Sequence, residues 1–214
     1  MNTRKCKENV KYIVVHHAYI PQSYSDDTCK RILSEEAKKL YGSAFGGLYN
    51  YTVLPSGECV QLVPPGYYAP HCGYNYGEDS KITNDNSIGI SVCAKMDTET
   101  TLRPAILASL INEVVWLAGQ YNIPAENIVK HSDVVATNCP GTHFPWSQFM
   151  KEVNNKMKSY PDVDTSRWSY SALKRAEENG ILTGDTDGKM HPGDPVTKEQ
   201  VAVMLFRFKE KFLK

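Results

Sequence analysis

Metal-binding side chains stand at the ends of two short apolar runs. The first run, Tyr12 to Val15, leads directly into His16. The second, Ile128 to Lys130, leads into His131, and Cys139 follows eight residues later in an Asn-Cys-Pro-Gly turn. Two imidazoles and a thiolate suit Zn2+, and three protein ligands with one open position are typical of a catalytic zinc site. Such a site supplies hydroxide at neutral pH, because the pKa of zinc-bound water falls to about 7. Amide hydrolysis would follow.

Each of these signals is weak when it stands alone. A histidine at a strand end is more often a hydrogen-bonded polar residue than a ligand, and Cys139 could simply be a turn residue. His17 directly follows His16, and successive side chains of a strand point to opposite faces. Only one of these two histidines can therefore face a shared site.

The apolar pattern predicts the elements that would position these residues. Strands are predicted at Tyr12–Val15, Leu48–Leu54, Glu58–Val63, Ser87–Val92 and Ile128–Lys130, and helices from Ser25 to Gly42, from Pro104 to Tyr121 and from Trp146 to Met157. Gly89, inside a strand, would permit a close backbone approach. Strands separated by helices predict an α/β fold with a central mixed β-sheet flanked by helices, over residues 1–157.

Composition excludes several classes of function. Lysine plus arginine and aspartate plus glutamate number 24 each, which argues against nucleic-acid binding. No apolar run approaches the roughly 20 residues of a membrane span. The first residues are charged and lack the apolar region of a secretory signal, so we expect synthesis in the cytoplasm. The six cysteines are then expected to be reduced thiols.

Four motifs together resemble the type 2 N-acetylmuramoyl-L-alanine amidases, which include phage amidase lysozymes and animal peptidoglycan recognition proteins. The motifs are Ile13-Val-Val-His-His-Ala-Tyr-Ile-Pro21, Leu48-Tyr-Asn-Tyr-Thr-Val with Ser56-Gly57, Asn84-Asp-Asn-Ser-Ile-Gly-Ile90, and His131 with Cys139-Pro-Gly141. The resemblance spans residues 10–150. It implies that His16, His131 and Cys139 bind Zn2+.

The same resemblance implies further site residues. Tyr49 matches the active-site tyrosine, with Tyr51 as the frame-shifted alternative. Thr137 stands where the phage lysozymes carry lysine and the recognition proteins threonine. Both hydroxyls would donate to the oxyanion that forms when zinc-activated water attacks the amide between N-acetylmuramic acid and L-alanine. His71 and Asn84 resemble groove positions that contact the muramyl peptide.

Residues 158–214 predict a small C-terminal helical domain that begins after a composition break at residues 158–161. This segment is similar to one S-layer homology repeat. The resemblance rests on Pro161-Asp-Val, Trp168, Ala172-Leu173, Asn179-Gly-Ile, Gly184 to Gly188 and Val196 to Ala202. It implies binding to a secondary cell-wall polymer, with Trp168 and Lys198 as candidate contacts. Lys198 replaces the arginine of the family and lacks its bidentate fork. The alternative is a packing or oligomerisation unit.

The resemblance as a whole implies a zinc-dependent hydrolase of bacterial peptidoglycan. A phage endolysin or an autolysin of a Gram-positive host, acting on the wall after release from the cytoplasm, is the interpretation that the two parts favour together. A noncatalytic peptidoglycan-recognition protein is one alternative, which Cys139 disfavours because noncatalytic relatives typically lose the zinc cysteine. A cytoplasmic amidase that recycles wall fragments is the other, which the wall-type tail disfavours.

Overall fold

The computed structural model describes residues 5–6, 8–41, 47–73, 81–157, 162–164, 166–186 and 189–213. The chain forms two compact units, residues 1–154 and 155–214. The predicted domain boundary, between residues 157 and 158, lies three residues beyond this division. The predicted break at residues 158–161, the predicted helix end at Gly42 and residues 187–188 of the tail motif lie outside the described residues.

A five-stranded mixed sheet forms the centre of the first unit. The strands are β1 (Tyr12–His17), β2 (Tyr51–Val53), β3 (Cys59–Gln61), β4 (Ser87–Val92) and β5 (Ile128–Lys130), in the spatial order β3-β2-β4-β1-β5. β1, β2, β4 and β5 are parallel, and β3 is antiparallel to β2. Every residue of β4 is buried, as expected of a parallel strand that is covered on both faces. The predicted α/β class is confirmed.

Three α-helices lie in the described part of residues 1–157: α1 (Asp26–Tyr41), α2 (Pro104–Tyr121) and α3 (Trp146–Met157). α2 begins at a proline, whose fixed φ suits the first helical turn, and is followed by Asn122, which caps it in the left-handed conformation. Its apolar face is buried, including Ile106, Leu110 and Val114, each 0% exposed. Helical periodicity therefore predicted the main helix correctly.

β2 is shorter than the predicted strand, because the chain bends at residues 48–50. The side chain of Asn50 holds the bend: its Oδ1 accepts from the Gly89 amide at 2.9 Å, and its Nδ2 donates to the Val63 carbonyl at 3.3 Å. The Asn50 carbonyl accepts from both the Leu62 and the Val63 amides, at 2.8 and 3.2 Å, so two residues lie opposite one as in a β-bulge, and regular strand pairing stops there. Tyr49 consequently precedes β2 and does not belong to it.

The second unit contains α4 (Tyr170–Glu178) and α5 (Lys198–Phe212), as the predicted small helical domain requires. Thr197 caps α5: its hydroxyl accepts from the Gln200 amide, and the Gln200 side chain accepts from the Thr197 amide. Trp168 is 95% exposed, and Lys198 is exposed at the start of α5. Among the helices of the described residues, none has the length and apolar character to cross a membrane.

Candidate metal centre

The two histidine-bearing strands are neighbours, so their carboxyl ends bring the predicted ligands together. β1 pairs with β5 in the register Val15 to Lys130, which places His16 and His131 side by side one residue later. Their ring centroids lie 4.4 Å apart. The carboxyl edge of parallel strands is where ligand sites form in open α/β sheets.

His16, His131 and Cys139 form a compact donor set. Each offers one ligand atom, and all three atoms lie within 4.8 Å of one another. The His16 Nδ1 to Cys139 Sγ distance is 3.7 Å. Nitrogen and sulfur ligands of a tetrahedral zinc ion with ordinary bond lengths lie about 3.6 Å apart. Among the described residues this is the one group of three that could hold a metal ion.

The chemistry of the donor set suits a metal ion. His131 Nε2 is buried and has no hydrogen-bond partner among the described residues. Leaving a buried polar atom unpaired costs about 1–3 kcal/mol, so such atoms are rare. Two imidazoles and a thiol are ligand types that Zn2+ takes, and a cation held between His16, His131 and Cys139 would give the His131 ring a polar partner. The residues present therefore fit Zn2+.

Burial shapes the protonation states of all three groups. It lowers the pKa of His16 well below its usual value of 6.5, and it lowers the pKa of His131. Both imidazoles are thus neutral and able to coordinate. Burial raises the pKa of the Cys139 thiol to about 12, so the thiol keeps its proton unless a cation compensates the charge. Metal binding would therefore release a proton from Cys139.

The loop that carries Cys139 is held against the end of β1. The His17 amide approaches Cys139 Sγ at 3.4 Å, and the His17 ring turns the other way, where its Nδ1 accepts from the Met96 amide at 3.1 Å. Gly141 packs onto Met96 so closely that a Cβ at position 141 would lie 2.6 Å from the Met96 carbonyl carbon. As expected from strand alternation, only His16 faces the donor set.

Tyr49 and Tyr51 occupy different environments. The Tyr49 ring is partly buried, and its centroid lies 5.2 Å from that of His16. The Tyr51 hydroxyl accepts from Gln61 Nε2 at 2.8 Å. Burial is the main cause that raises the pKa of Tyr51, and the nearby Glu113 of α2 raises it further. Of the two alternatives, the structure brings Tyr49 to the metal ligands.

Thr137 is exposed on the loop between His131 and Cys139. Its hydroxyl oxygen accepts from the Cys139 amide at 3.3 Å. It also lines an open pocket of about 280 Å³ together with Lys130 and Trp146. Thr137 is thus both a turn hydroxyl and a side chain within reach of a ligand at the loop, and its catalytic role stays a prediction.

His71 and Asn84 are both buried, at 5% and 0% exposure. His71 lies behind His16, with His71 Nδ1 3.1 Å from His16 Nε2. The Asn84 carboxamide accepts from the Cys72 amide at 2.7 Å and donates to the Gly73 carbonyl at 2.8 Å. Both side chains are engaged inside the protein, and their predicted contact with muramyl peptide stays a prediction. Sequence reasoning did not identify the contact between His71 and His16.

Comparison with protein families agrees with this geometry. The model of the N-acetylmuramoyl-L-alanine amidase family matches residues 7–142, which include all three metal-binding side chains. The chain belongs to the N-acetylmuramoyl-L-alanine amidase family. The model of the S-layer homology domain matches residues 159–202 of this amidase-family chain, so both resemblances seen in the sequence are confirmed.

Two curated relatives match parts of the chain. The amidase-family chain is 36% identical over 96 residues to a 1,6-anhydro-N-acetylmuramyl-L-alanine amidase of Enterobacter cloacae, a match that covers 44% of this chain and 50% of that protein. It is 42% identical over 50 residues to an endoglucanase of Bacillus sp. (strain KSM-635), covering 23% of this chain and 5% of that protein. These matches thus span half or less of either curated relative.

A solved structure shares the fold. An N-acetylmuramoyl-L-alanine amidase from Clostridium intestinale superposes with a TM-score of 0.53 at 21% identity, covering 72% of this chain and 95% of that one.

Proposed function

We propose that this chain is a zinc-dependent hydrolase of bacterial peptidoglycan that cleaves the amide bond between N-acetylmuramic acid and L-alanine. Membership of the amidase family supports the reaction class. The observation that supports the zinc dependence is the convergence of His16, His131 and Cys139, whose ligand atoms lie within 4.8 Å of one another. The S-layer homology match favours the cell wall of a Gram-positive host as the target. It also favours a phage endolysin or an autolysin as the class of hydrolase.

In the proposed mechanism the bound metal and two hydroxyl side chains have different roles. Zn2+, when bound, supplies a Lewis acid and a water that ionises near neutral pH. In this proposal Tyr49 and Thr137 donate hydrogen bonds to the carbonyl oxygen as it gains charge, and stabilisation of this kind is usually the largest contribution to lowering such a barrier. Because a hydroxyl that accepts one hydrogen bond keeps its own hydrogen for donation, the bond from the Cys139 amide leaves Thr137 able to act.

Zinc content and clearing of purified walls test the mechanism. Cys139→Ser removes the thiolate, and we expect it to lose both bound zinc and wall clearing. Cys59→Ser is the matched control, because Cys59 lies on β3 outside the donor set and should keep both. Equal clearing by wild type and Cys139→Ser would refute the zinc mechanism. Binding to walls without clearing by any variant would favour a noncatalytic recognition protein.

We propose that the second unit binds a secondary cell-wall polymer. The S-layer homology match and the 95% exposure of Trp168 support this role, with Lys198 as a candidate contact at the start of α5. A chain that ends after Lys158 should pellet less with purified walls while keeping its zinc, and full-length Trp168→Ala should share part of the loss. Unchanged pelleting of both variants would show that the second unit is not the targeting element.

Self-association is the second candidate role of this unit. Four exposed apolar residues of α5 follow 4-3-4 spacing and so form one stripe along the helix: Val201, Leu205, Phe208 and Phe212. Light scattering of wild type and Leu205→Glu distinguishes the roles. A loss of oligomers in the variant, with wall pelleting retained, would assign the stripe to self-association.

A further inference from the structure

A chain of buried hydrogen bonds runs behind His16, on the side away from Cys139. His16 Nε2 lies 3.1 Å from His71 Nδ1, and His71 Nε2 lies 3.2 Å from Ser87 Oγ. Ser87 Oγ in turn donates to the Thr83 carbonyl at 2.5 Å. His16, His71 and Ser87 are 1%, 5% and 2% exposed. The chain thus connects a predicted metal ligand to a backbone carbonyl through two further side chains.

The Thr83 carbonyl at the end of this hydrogen-bond chain sets the directions of the bonds made by Ser87 and His71. A carbonyl only accepts, so the Ser87 hydroxyl hydrogen points to Thr83, and Ser87 Oγ must accept from His71 Nε2. A neutral imidazole carries one donor and one acceptor nitrogen. His71 Nδ1 is therefore the acceptor, and two groups approach it: His16 Nε2 at 3.1 Å and the Cys72 thiol at 3.3 Å. Because a thiol is a weak donor and the contact with His16 is the shorter, we assign the donated hydrogen to His16 Nε2. The lone pair of His16 is then left on Nδ1, the nitrogen that faces Cys139 Sγ.

We propose that His71 is a positioning residue for the metal centre: it accepts the His16 Nε2 hydrogen and so holds His16 in the tautomer and orientation that present Nδ1 to the metal. This inference rests on the proposed zinc site. It gives His71 a role inside the protein in place of a contact with the muramyl peptide. Removal of a residue that orients a metal-binding histidine typically weakens metal binding by about 10- to 100-fold, and we expect a loss of this order when His71 is replaced.

Gly89 and Asn84 fix the position of the His71 side chain. Its ring lies on Gly89 of β4, where a Cβ would come within 2.3 Å of His71 Cγ. No other residue type leaves room for the ring there. The segment after His71 is clamped by Asn84, which binds the Cys72 amide and the Gly73 carbonyl. Asn84 thereby secures the loop from which His71 reaches His16.

The tautomers of His16 and His71 in the metal-free protein test the direction of these hydrogen bonds. Long-range 1H–15N spectra distinguish the two nitrogens of each imidazole. We expect hydrogen on Nε2 of both His16 and His71, with Nδ1 of both unprotonated. Hydrogen on His71 Nδ1, or on His16 Nδ1, would overturn the proposal irrespective of any effect of mutation on folding.

Metal affinity tests the consequence. Competition with a chromophoric chelator gives the Zn2+ dissociation constant, and the Co2+ absorption spectrum reports ligand geometry. His71→Leu removes the acceptor and should weaken Zn2+ binding by about 10- to 100-fold. His71→Asn keeps an oxygen acceptor near the Nδ1 position and should recover part of that loss. Ser87→Ala frees the His71 tautomer and should give a smaller loss than His71→Leu.

The controls separate this proposal from the zinc site itself. Cys139→Ser should abolish tight binding, and urea midpoints identify variants that fail to fold. If His71→Leu binds Zn2+ as tightly as wild type while Cys139→Ser does not, the zinc site stands and the positioning role is refuted. Equal losses in His71→Asn and His71→Leu would also refute it, since filling the space would then be all that matters. A wild type that binds no Zn2+ would refute the proposed function instead.

Discussion

Replacing Gly89 by alanine is expected to expel the His71 ring from its place behind His16. The new Cβ would lie 2.3 Å from His71 Cγ, 2.6 Å from His71 Cβ and 2.7 Å from His71 Cδ2. Carbon atoms in ordinary contact are about 3.5–4.0 Å apart, so the ring must move by at least about 1 Å. The strand cannot move instead, because the Gly89 amide and carbonyl are both bonded to Asn50, each at 2.9 Å.

Overpacking of this kind costs about 1–3 kcal/mol of unfolding free energy. It would also break the 3.1 Å bond between His16 and His71, so zinc affinity should fall together with stability. Urea unfolding of the metal-free protein measures the cost, and an unchanged m value checks that only stability has changed. His71→Gly is the background that isolates the clash, since alanine at position 71 would leave a Cβ 2.6 Å away.

In the His71→Gly background, Gly89→Ala should cost nothing or stabilise by up to about 1 kcal/mol, because glycine is the poorer strand residue. The double-mutant cycle should therefore show a coupling of at least about 1 kcal/mol between the two positions. If the cost of Gly89→Ala is the same in both backgrounds, His71 is not what the glycine accommodates. The argument that β4 is shaped to receive the ring would then be refuted.

Three further predictions concern other parts of the chain. Gly141→Ala should destabilise the protein more than Gly66→Ala and should also weaken zinc binding. Both glycines have positive φ, but only a Cβ at position 141 would meet the Met96 backbone. Equal urea midpoints of the two variants would contradict this prediction. Burial raises the pKa of Glu113 above its usual value of 4.5. The stability that the protonated carboxyl contributes is therefore fully present below pH 4.5 and is lost as pH rises through the raised pKa. Glu113→Gln should thus stabilise the protein at pH 7 and lose this advantage on acidification, as pH-dependent urea midpoints would show. Thr197→Ala removes the cap of α5 and should cost about 1 kcal/mol, with reduced helical circular dichroism on heating; full retention would mean that the cap does not stabilise α5.

Periodicity predicted the framework of the first unit closely. β4, β5 and α3 have the predicted bounds, because apolar runs flanked by turn residues leave few alternatives for short buried strands and amphipathic helices. The predicted strand around Tyr49 was too long, since the bend depends on an Asn50 side chain that bonds Gly89, 39 residues away. Side-chain bonds to distant backbone have no signature in a local pattern.

The sequence by itself determined the family, and its resemblance to that family implied the candidate metal ligands. His16 and His131 directly follow predicted strand ends, and parallel neighbours bring such ends together. Cys139 follows in the turn after His131, so a donor set at this edge was expected from the sequence and its resemblance. Alternation along β1 also required His16 and His17 to part, which they do. The second unit was likewise identified from its motifs.

Only the tertiary structure decided what His71 and Asn84 do inside the protein. Both lie in or next to a loop without periodicity, and their partners are set by how that loop folds back onto β4. His71 meets His16 across 55 residues of sequence, and its bond to Ser87 exists because Ser87 begins the strand on which the ring rests. The direction of the hydrogen bonds behind His16 depends on one further atom, the Thr83 carbonyl oxygen, which only the folded chain brings within reach of Ser87.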